Sequence, residues 1–341
     1  MKRILIVRLS AIGDVIMASG IVPALRARYP DAHIAWLLEP MAAGLLSENS
    51  QVDEVILWQK SHWKYLWKQK QFLTLFKEVR NFRKALREHD FDLVIDLQGI
   101  LKSAVLAWMT GAKARIGLGG KEGASYFHTH TIERDSNHPL ICSEYRAMAR
   151  YLELPDAAFE MSIPYFEESE ASALQKVGSE SGNYAVICPF TTRPQKHWFE
   201  PEWQEFVDLL KDRYEVPIVI LGGPGDKDAA FRLQRGADVS LINLTGQTNL
   251  LEAAAVIANA KVLVGVDTGL THLGIAKKIP TVALFGSTRP YLDTGRDNAE
   301  VIYLAKDCSP CRRKPTCGGT FDCMKDITPV QVLDVVERLL A

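Results

Sequence analysis

Short apolar, mostly β-branched runs alternate with helix-periodic segments along almost the entire chain, and this alternation constrains the fold more than any other feature. In the first half the strand-like runs are 3–7, 33–38, 54–57, 92–97 and 114–118, with helix-like runs at 14–28 and 72–88. The second half repeats the habit, with strands at 185–189, 216–221, 240–243, 262–266 and 281–285 and helices near 201–213, 226–235, 249–259 and 270–277. A strand such as Ile4-Leu5-Ile6-Val7 has no polar face, so both of its faces must be covered. Helices lying between such strands provide that cover, which predicts an α/β fold with parallel sheets and crossover helices.

At 341 residues the chain is long for a single core. The pattern restarts at Tyr184-Ala185-Val186-Ile187-Cys188, after the polar, partly helical stretch EESEASALQKVGSESGN. The economical architecture is two doubly wound, Rossmann-like domains facing each other across a cleft, one over 1–165 and one over 182–325, with a linker at 166–181. Residues 328–341 read as an amphipathic helix opened by Thr328-Pro329 and expected to pack back on the first domain. A formal net charge of −1 excludes a generally basic nucleic-acid binder. Met1-Lys2-Arg3 leads straight into a strand, and no run approaches the roughly 20 apolar residues of a membrane span. A cytoplasmic protein is expected, whose six cysteines count as thiols rather than as a disulfide framework.

Chemistry is expected where strands end. In VGVDTGLTHLG, 264–274, a buried strand ends at Asp267 and a turn opens a helix. The amides from Thr268 through Gly269 and Leu270 to Thr271 are free at that helix start, and with the Thr268 and Thr271 hydroxyls they suit an anion. The simpler alternative is that Asp267 or Thr268 caps the helix. His272 lies one turn on. In PFTTRPQKHW, 189–198, Thr191, Thr192 and Lys196 suit a diphosphate, hydroxyls for geometry and an ammonium for charge; the alternative is a solvated loop. In LGGPGDKD, 221–228, glycines allow close backbone approach, and Asp226 or Asp228 suits ribose hydroxyls or merely a helix start. No G-x-G-x-x-G is present in that stretch, so a nicotinamide cofactor is not indicated.

Three features differ in kind. LSAIGDV, 9–15, is a strand-to-helix turn with one glycine, Gly13, followed at once by Asp14. An acid there is a partner for the helix dipole or a general base. Residues 58–88 carry nine Lys or Arg against two Glu, with Trp58, Trp63 and Trp67 interleaved among Lys60, Lys64, Lys68 and Lys70. The stretch 58–71 suits an anionic acceptor at a membrane interface. In 72–88, Phe72, Leu75, Phe76, Val79, Phe82 and Leu86 recur at helical spacing, which predicts a helix packing that face on the domain. Finally, Cys308, Cys311, Cys317 and Cys323 have the makings of a structural zinc site, with disulfides or free thiols as the alternatives. Cys142 and Cys188 read as core residues.

ILIVRLSAIGDVI, DLVIDLQGILKSA, TTRPQKHW and VDTGLTHL together resemble the motifs of the ADP-heptose:lipopolysaccharide heptosyltransferases, glycosyltransferase family 9. The similarity runs along nearly the whole chain and is greatest to the heptosyltransferase I branch, which adds the first heptose to a Kdo sugar of lipid A. The cysteine group looks more like the second-heptose branch. The resemblance implies a two-domain GT-B fold with acceptor on the N-terminal domain and nucleotide sugar on the C-terminal one. It implies inverting transfer that requires no metal or other cofactor, with ADP-heptose as donor and Kdo-lipid A or inner-core lipopolysaccharide as acceptor. By that resemblance Asp14 is the general base and Gly13 lets the acceptor approach. Thr191, Thr192, Lys196, Asp226, Thr248, Asp267, Thr268, Gly269, Leu270, Thr271 and His272 form the donor site. Lys60, Lys64, Lys102 and Arg115 are assigned to acceptor anions, and peripheral contact with an anionic membrane surface follows from the lipid acceptor.

Overall fold

The computed structural model describes residues 1–135, 138–288, 291–311 and 314–341. The chain divides into two compact units, Met1–Asn137 with Cys142–Pro164, and His138–Ile141 with Tyr165–Ala341. The first unit holds β1 (Arg3–Val7), β2 (His33–Leu38), β3 (Glu54–Leu57), β4 (Leu93–Asp96), β5 (Ala114–Leu118) and β6 (His130–Ile132) in the order β3-β2-β1-β4-β5-β6. The second holds β7 (Ala185–Cys188), β8 (Ile218–Ile220), β9 (Leu241–Asn243), β10 (Val262–Val266), β11 (Thr281–Phe285) and β12 (Ala299–Tyr303) in the order β12-β11-β10-β7-β8-β9. Every named strand pair is parallel. Each unit is therefore a doubly wound, Rossmann-like sheet in which the first and fourth strands lie side by side. The chain leaves that pair in opposite directions, which opens a crevice beyond their carboxyl ends, the usual ligand position in such sheets.

Burial follows the sequence pattern. Ile4 to Val7 are fully buried, as are Leu263 and Val264 beside Val186 and Ile187. The predicted helix 14–28 is two helices, Ile12–Ala18 and Ile21–Arg28. Ser19 breaks it: its Oγ donates to the Ile16 carbonyl at 2.7 Å and accepts the Ser162 amide at 2.9 Å. Gly20 leaves room for Phe159, since a Cβ there would lie 2.5 Å from the ring.

Three further expectations change. The segment read as a polar, partly helical linker does hold a helix, Glu167–Val177, but belongs to the second unit. Its Lys176 and Ser172 both reach Glu252 Oε1 at 2.6 Å on helix Leu250–Ala258. The terminal helix, Pro329–Leu340, also stays in the second unit rather than returning to the first. Val332, Val335 and Val336 join the core built by Trp198, Trp203 and Phe206, and this existing apolar surface gives the stripe its nearest cover. Helix Phe72–Glu88 packs only along part of its apolar face: Leu86 is buried and Phe82 touches the core, whereas Phe72 and Phe76 are 50% and 68% exposed.

Candidate active site

In the second unit the loops after β7 and β10 meet at the switch point, because those strands are neighbours. Asp267 is the hub. Its Oδ2 lies 2.5 Å from Lys196 Nζ and accepts from Thr288 Oγ1 at 2.5 Å. Its Oδ1 faces His272 Nε2 at 3.6 Å, and His272 Nδ1 sits 2.8 Å from the Tyr291 hydroxyl. Burial by itself would raise the Asp267 carboxyl, but His272 and the Lys196 ammonium outweigh it and hold the group well below the usual carboxylate range. The carboxylate thus serves side chains from the segments after β7 and β11 and from the helix Gly269–Ala276 itself, and among the described residues it does not cap that helix. Its N-cap residue, Thr268, makes no side-chain capping bond among the described residues either. A helix start of this kind presents its first amides, those of Gly269 and Leu270, toward an anion.

Thr271 is fully buried and donates to the Val266 carbonyl at 2.6 Å, so it shapes the turn instead of presenting a hydroxyl. Gly265 permits this, since a Cβ there would lie 2.3 Å from Thr271 Oγ1. Thr191 Oγ1 reaches the Asp267 carbonyl at 3.5 Å and Thr192 is exposed. Asp226, after β8, accepts the Gly223 amide at 2.8 Å, and Gly246 N donates to the Gly222 carbonyl at 2.9 Å, tying the β8 and β9 loops together near half-buried Thr248. Sequence reasoning missed Thr288 and Tyr291. The signal was present, a Ser-Thr pair past the buried strand Thr281–Phe285 beside β10.

In the first unit Asp14 lies in the helix that follows β1. Its Oδ2 accepts the Ala11 amide at 3.2 Å and forms an ion pair with Arg8. Arg8 is nearly buried, and it also donates to the Leu97 carbonyl at 3.3 Å after β4. Gln98 Oε1 accepts the Leu9 amide at 2.9 Å, so the loops after β1 and β4 are fastened to each other. The β4 loop is held in turn by fully buried Asp96. Its Oδ1 accepts the Gln98 and Gly99 amides at 2.9 and 3.0 Å, and its Oδ2 meets Ser103 Oγ at 2.8 Å and His128 Nε2 at 3.0 Å. Arg8, overlooked in the sequence, was visible as one charge between a buried strand and a buried Leu9; such a cation needs an anion, and Asp14 supplies it. Gly13 lies within helix Ile12–Ala18 and is half-buried beside the acid.

The basic candidates do not form one cluster. Lys60 and Lys102 converge on Glu39 at 3.0 and 3.4 Å, so much of their charge is already balanced. Burial and repulsion from Lys60 pull the Lys102 ammonium below its ordinary range. Lys64 is exposed one turn along from Lys60. Arg115 stands apart near the start of β5, donating to the Phe127 carbonyl at 2.8 Å and to the Ala112 carbonyl. The four cysteines are free thiols, and among the described residues no group of three or more His, Cys, Asp or Glu could hold a metal ion. Cys323 is buried in the second unit's core. Cys142 and Cys188 are buried, as core residues. Among the described residues no helix is long and apolar enough to cross a membrane.

Known proteins share both sequence and architecture with this chain. The sequence profile "Glycosyltransferase family 9 (heptosyltransferase)" matches residues 79–320. Lipopolysaccharide heptosyltransferase 1 of Escherichia coli K12 is 31% identical over 314 residues, covering 89% of this chain and 93% of the relative. A solved E. coli heptosyltransferase with ADP superposes with a TM-score of 0.73 at 28% identity, covering 99% of each chain. E. coli ADP-heptose heptosyltransferase II does so with a TM-score of 0.78 at 25% identity, covering 100% of this chain and 98% of its own. With two Rossmann-like domains of the GT-B type and these matches across most of its length, the chain belongs to glycosyltransferase family 9, the heptosyltransferase family.

Proposed function

We propose that the protein transfers heptose from ADP-heptose to the Kdo region of inner-core lipopolysaccharide, with inversion and without a metal. The observation that carries this is the Lys196–Asp267–Thr288–His272 cluster beside a helix start whose N-cap side chain makes no capping bond among the described residues, at the switch point of the second domain. An ammonium and aligned amides suit a departing diphosphate. Lys196 moves its charge from Asp267 toward the phosphates, and Asp226 and Thr248 take the nucleoside side. Thr191, Thr192 and Thr268 line the same donor site.

Asp14 accepts the acceptor hydroxyl's proton as that oxygen attacks the anomeric carbon, and Arg8 fixes the carboxylate in place. Attack from the face opposite the diphosphate inverts the centre. Charge on the leaving group is met by Lys196 and the helix amides, which is why no metal is required. Lys60, Lys64 and Lys102 serve acceptor anions, with Glu39 setting their spacing. Because a lipid A acceptor is anchored in a bilayer, the enzyme works peripherally at the cytoplasmic face of a membrane.

The similarity to heptosyltransferase II favours one other acceptor, the already heptosylated core. Incubating the enzyme with several nucleotide sugars, and with Kdo2-lipid A or its heptosylated product, tests both readings by mass spectrometry. Addition of one heptose to Kdo2-lipid A, undiminished by EDTA, is expected. Transfer only to the heptosylated core would select the second reading, and no transfer from ADP-heptose would overturn both.

A further inference from the structure

Helices Lys60–Lys68 and Phe72–Glu88 are anchored at one end and bare at the other. Trp63 packs edge-on against Trp58 and Phe82, with ring centroids 5.9 and 5.6 Å apart, and Leu66 and Leu86 are buried. At the joint between the helices the apolar side chains turn outward. Tyr65 is 55% exposed, Trp67 64%, Phe72 50%, Leu73 89% and Phe76 68%. Trp67 and Phe72 meet edge to face at 5.1 Å, so they form a ridge with each other. Lys64, Lys68, Lys70 and Lys77, all exposed, flank these residues along the chain, and no acidic residue occurs from 60 to 77.

Contiguous exposed apolar side chains mark an interaction surface. Aromatic rings flanked by lysines fit the boundary between headgroups and acyl chains of an anionic bilayer, where the rings are partly desolvated and the ammoniums remain among phosphates. A second copy of this chain fits poorly, because a two-fold contact would set the same lysines against one another. We propose that the joint of these two helices docks the enzyme on an anionic phospholipid surface by inserting Trp67, Phe72, Leu73 and Phe76. This deepens the proposed function by naming the element that brings the enzyme to its lipid-borne acceptor.

The test uses the full chain and vesicles of mixed phosphatidylglycerol and phosphatidylcholine, without acceptor. The wild type should sediment with these vesicles, with a blue shift of tryptophan emission, and stay free of phosphatidylcholine alone. L73S/F76S should weaken binding on the order of tenfold or more. K77Q should weaken it roughly fivefold and lessen its salt dependence. Both variants should keep wild-type circular dichroism and wild-type transfer to a soluble, lipid-free Kdo acceptor. Wild type that stays in the supernatant, or variants that bind like wild type, would overturn docking. So would variants that lose turnover on the soluble acceptor, which would make the ridge part of the acceptor site, or a ridge that proves to mediate self-association in sedimentation velocity. Failure of the proposed function is separate: the wild type would then transfer to neither acceptor whatever its vesicle binding.

Discussion

Replacing Asp14 with Asn separates the two roles its carboxylate is able to fill. The Asn oxygen retains an acceptor for the Ala11 amide, so the turn survives, but the charge facing Arg8 is lost. Breaking a buried pair costs about 3–5 kcal/mol. Arg8 is only 6% exposed but the Asp14 side chain is 39% exposed, so solvent screening reduces the cost to about 1–2 kcal/mol. For a domain of this size that is a fall in Tm of roughly 2–8 °C. Loss of a general base lowers turnover on the order of 10²- to 10⁴-fold, about 3–5 kcal/mol of barrier. At an assay temperature well below Tm the folded population hardly changes, so stability does not account for such a loss. Calorimetry would give Tm, titration would give ADP affinity, and single-turnover transfer would give the rate. The expected outcome is a small Tm decrease, unchanged ADP binding and a collapsed rate. Arg8→Met should cost less turnover than Asp14→Asn and add little in the double variant, because it acts through the same carboxylate. Near-normal turnover in Asp14→Asn would refute the base assignment and leave Asp14 as the partner of a buried arginine.

Three other outcomes are expected. If Lys196 meets the diphosphate as proposed, Lys196→Ala should lower kcat/KM about 10- to 100-fold and weaken ADP binding; unchanged kinetics would remove Lys196 from the site. Asp267 has a depressed carboxyl pKa, so its contribution to stability is complete above the unfolded-state value near ~4 and is lost as pH falls through its lower folded value. Acid titration of Tm should therefore show a component below about pH 4 that Asp267→Asn lacks, and identical profiles would contradict the pairing. Val336→Ala should cost about 2 kcal/mol and accelerate hydrogen exchange in β11 and β12 while β1 and β4 keep their protection, whereas loss of protection in the first sheet would place the terminal helix there instead.

The central strands were legible because burial on both faces leaves a continuous apolar run, as in Ile4–Val7 and Val262–Val266. The edge strands β6 and β12 escaped notice because they are only partly buried and carry polar residues among the apolar ones. The site was legible to the extent that strand ends name loops. Asp14, Lys196 and Asp267 were each read from a turn after a buried strand. Their partners were not, because Arg8 looked like a solvated charge and Thr288 lay beyond the quoted motifs.

Local sequence determined which segments are the buried strands, where each parallel sheet begins and which turns carry acids, hydroxyls and lysines, since those depend on periodicity and on residue type within a few positions. Tertiary structure decided what each charge faces. Lys60 and Lys102 are joined through Glu39, Lys196 is held by Asp267 and the terminal helix is kept in the second core. Such pairings link residues tens of positions apart whose distance is set by strand order. An ion pair acts over a few ångströms, and sequence spacing carries no measure of that distance.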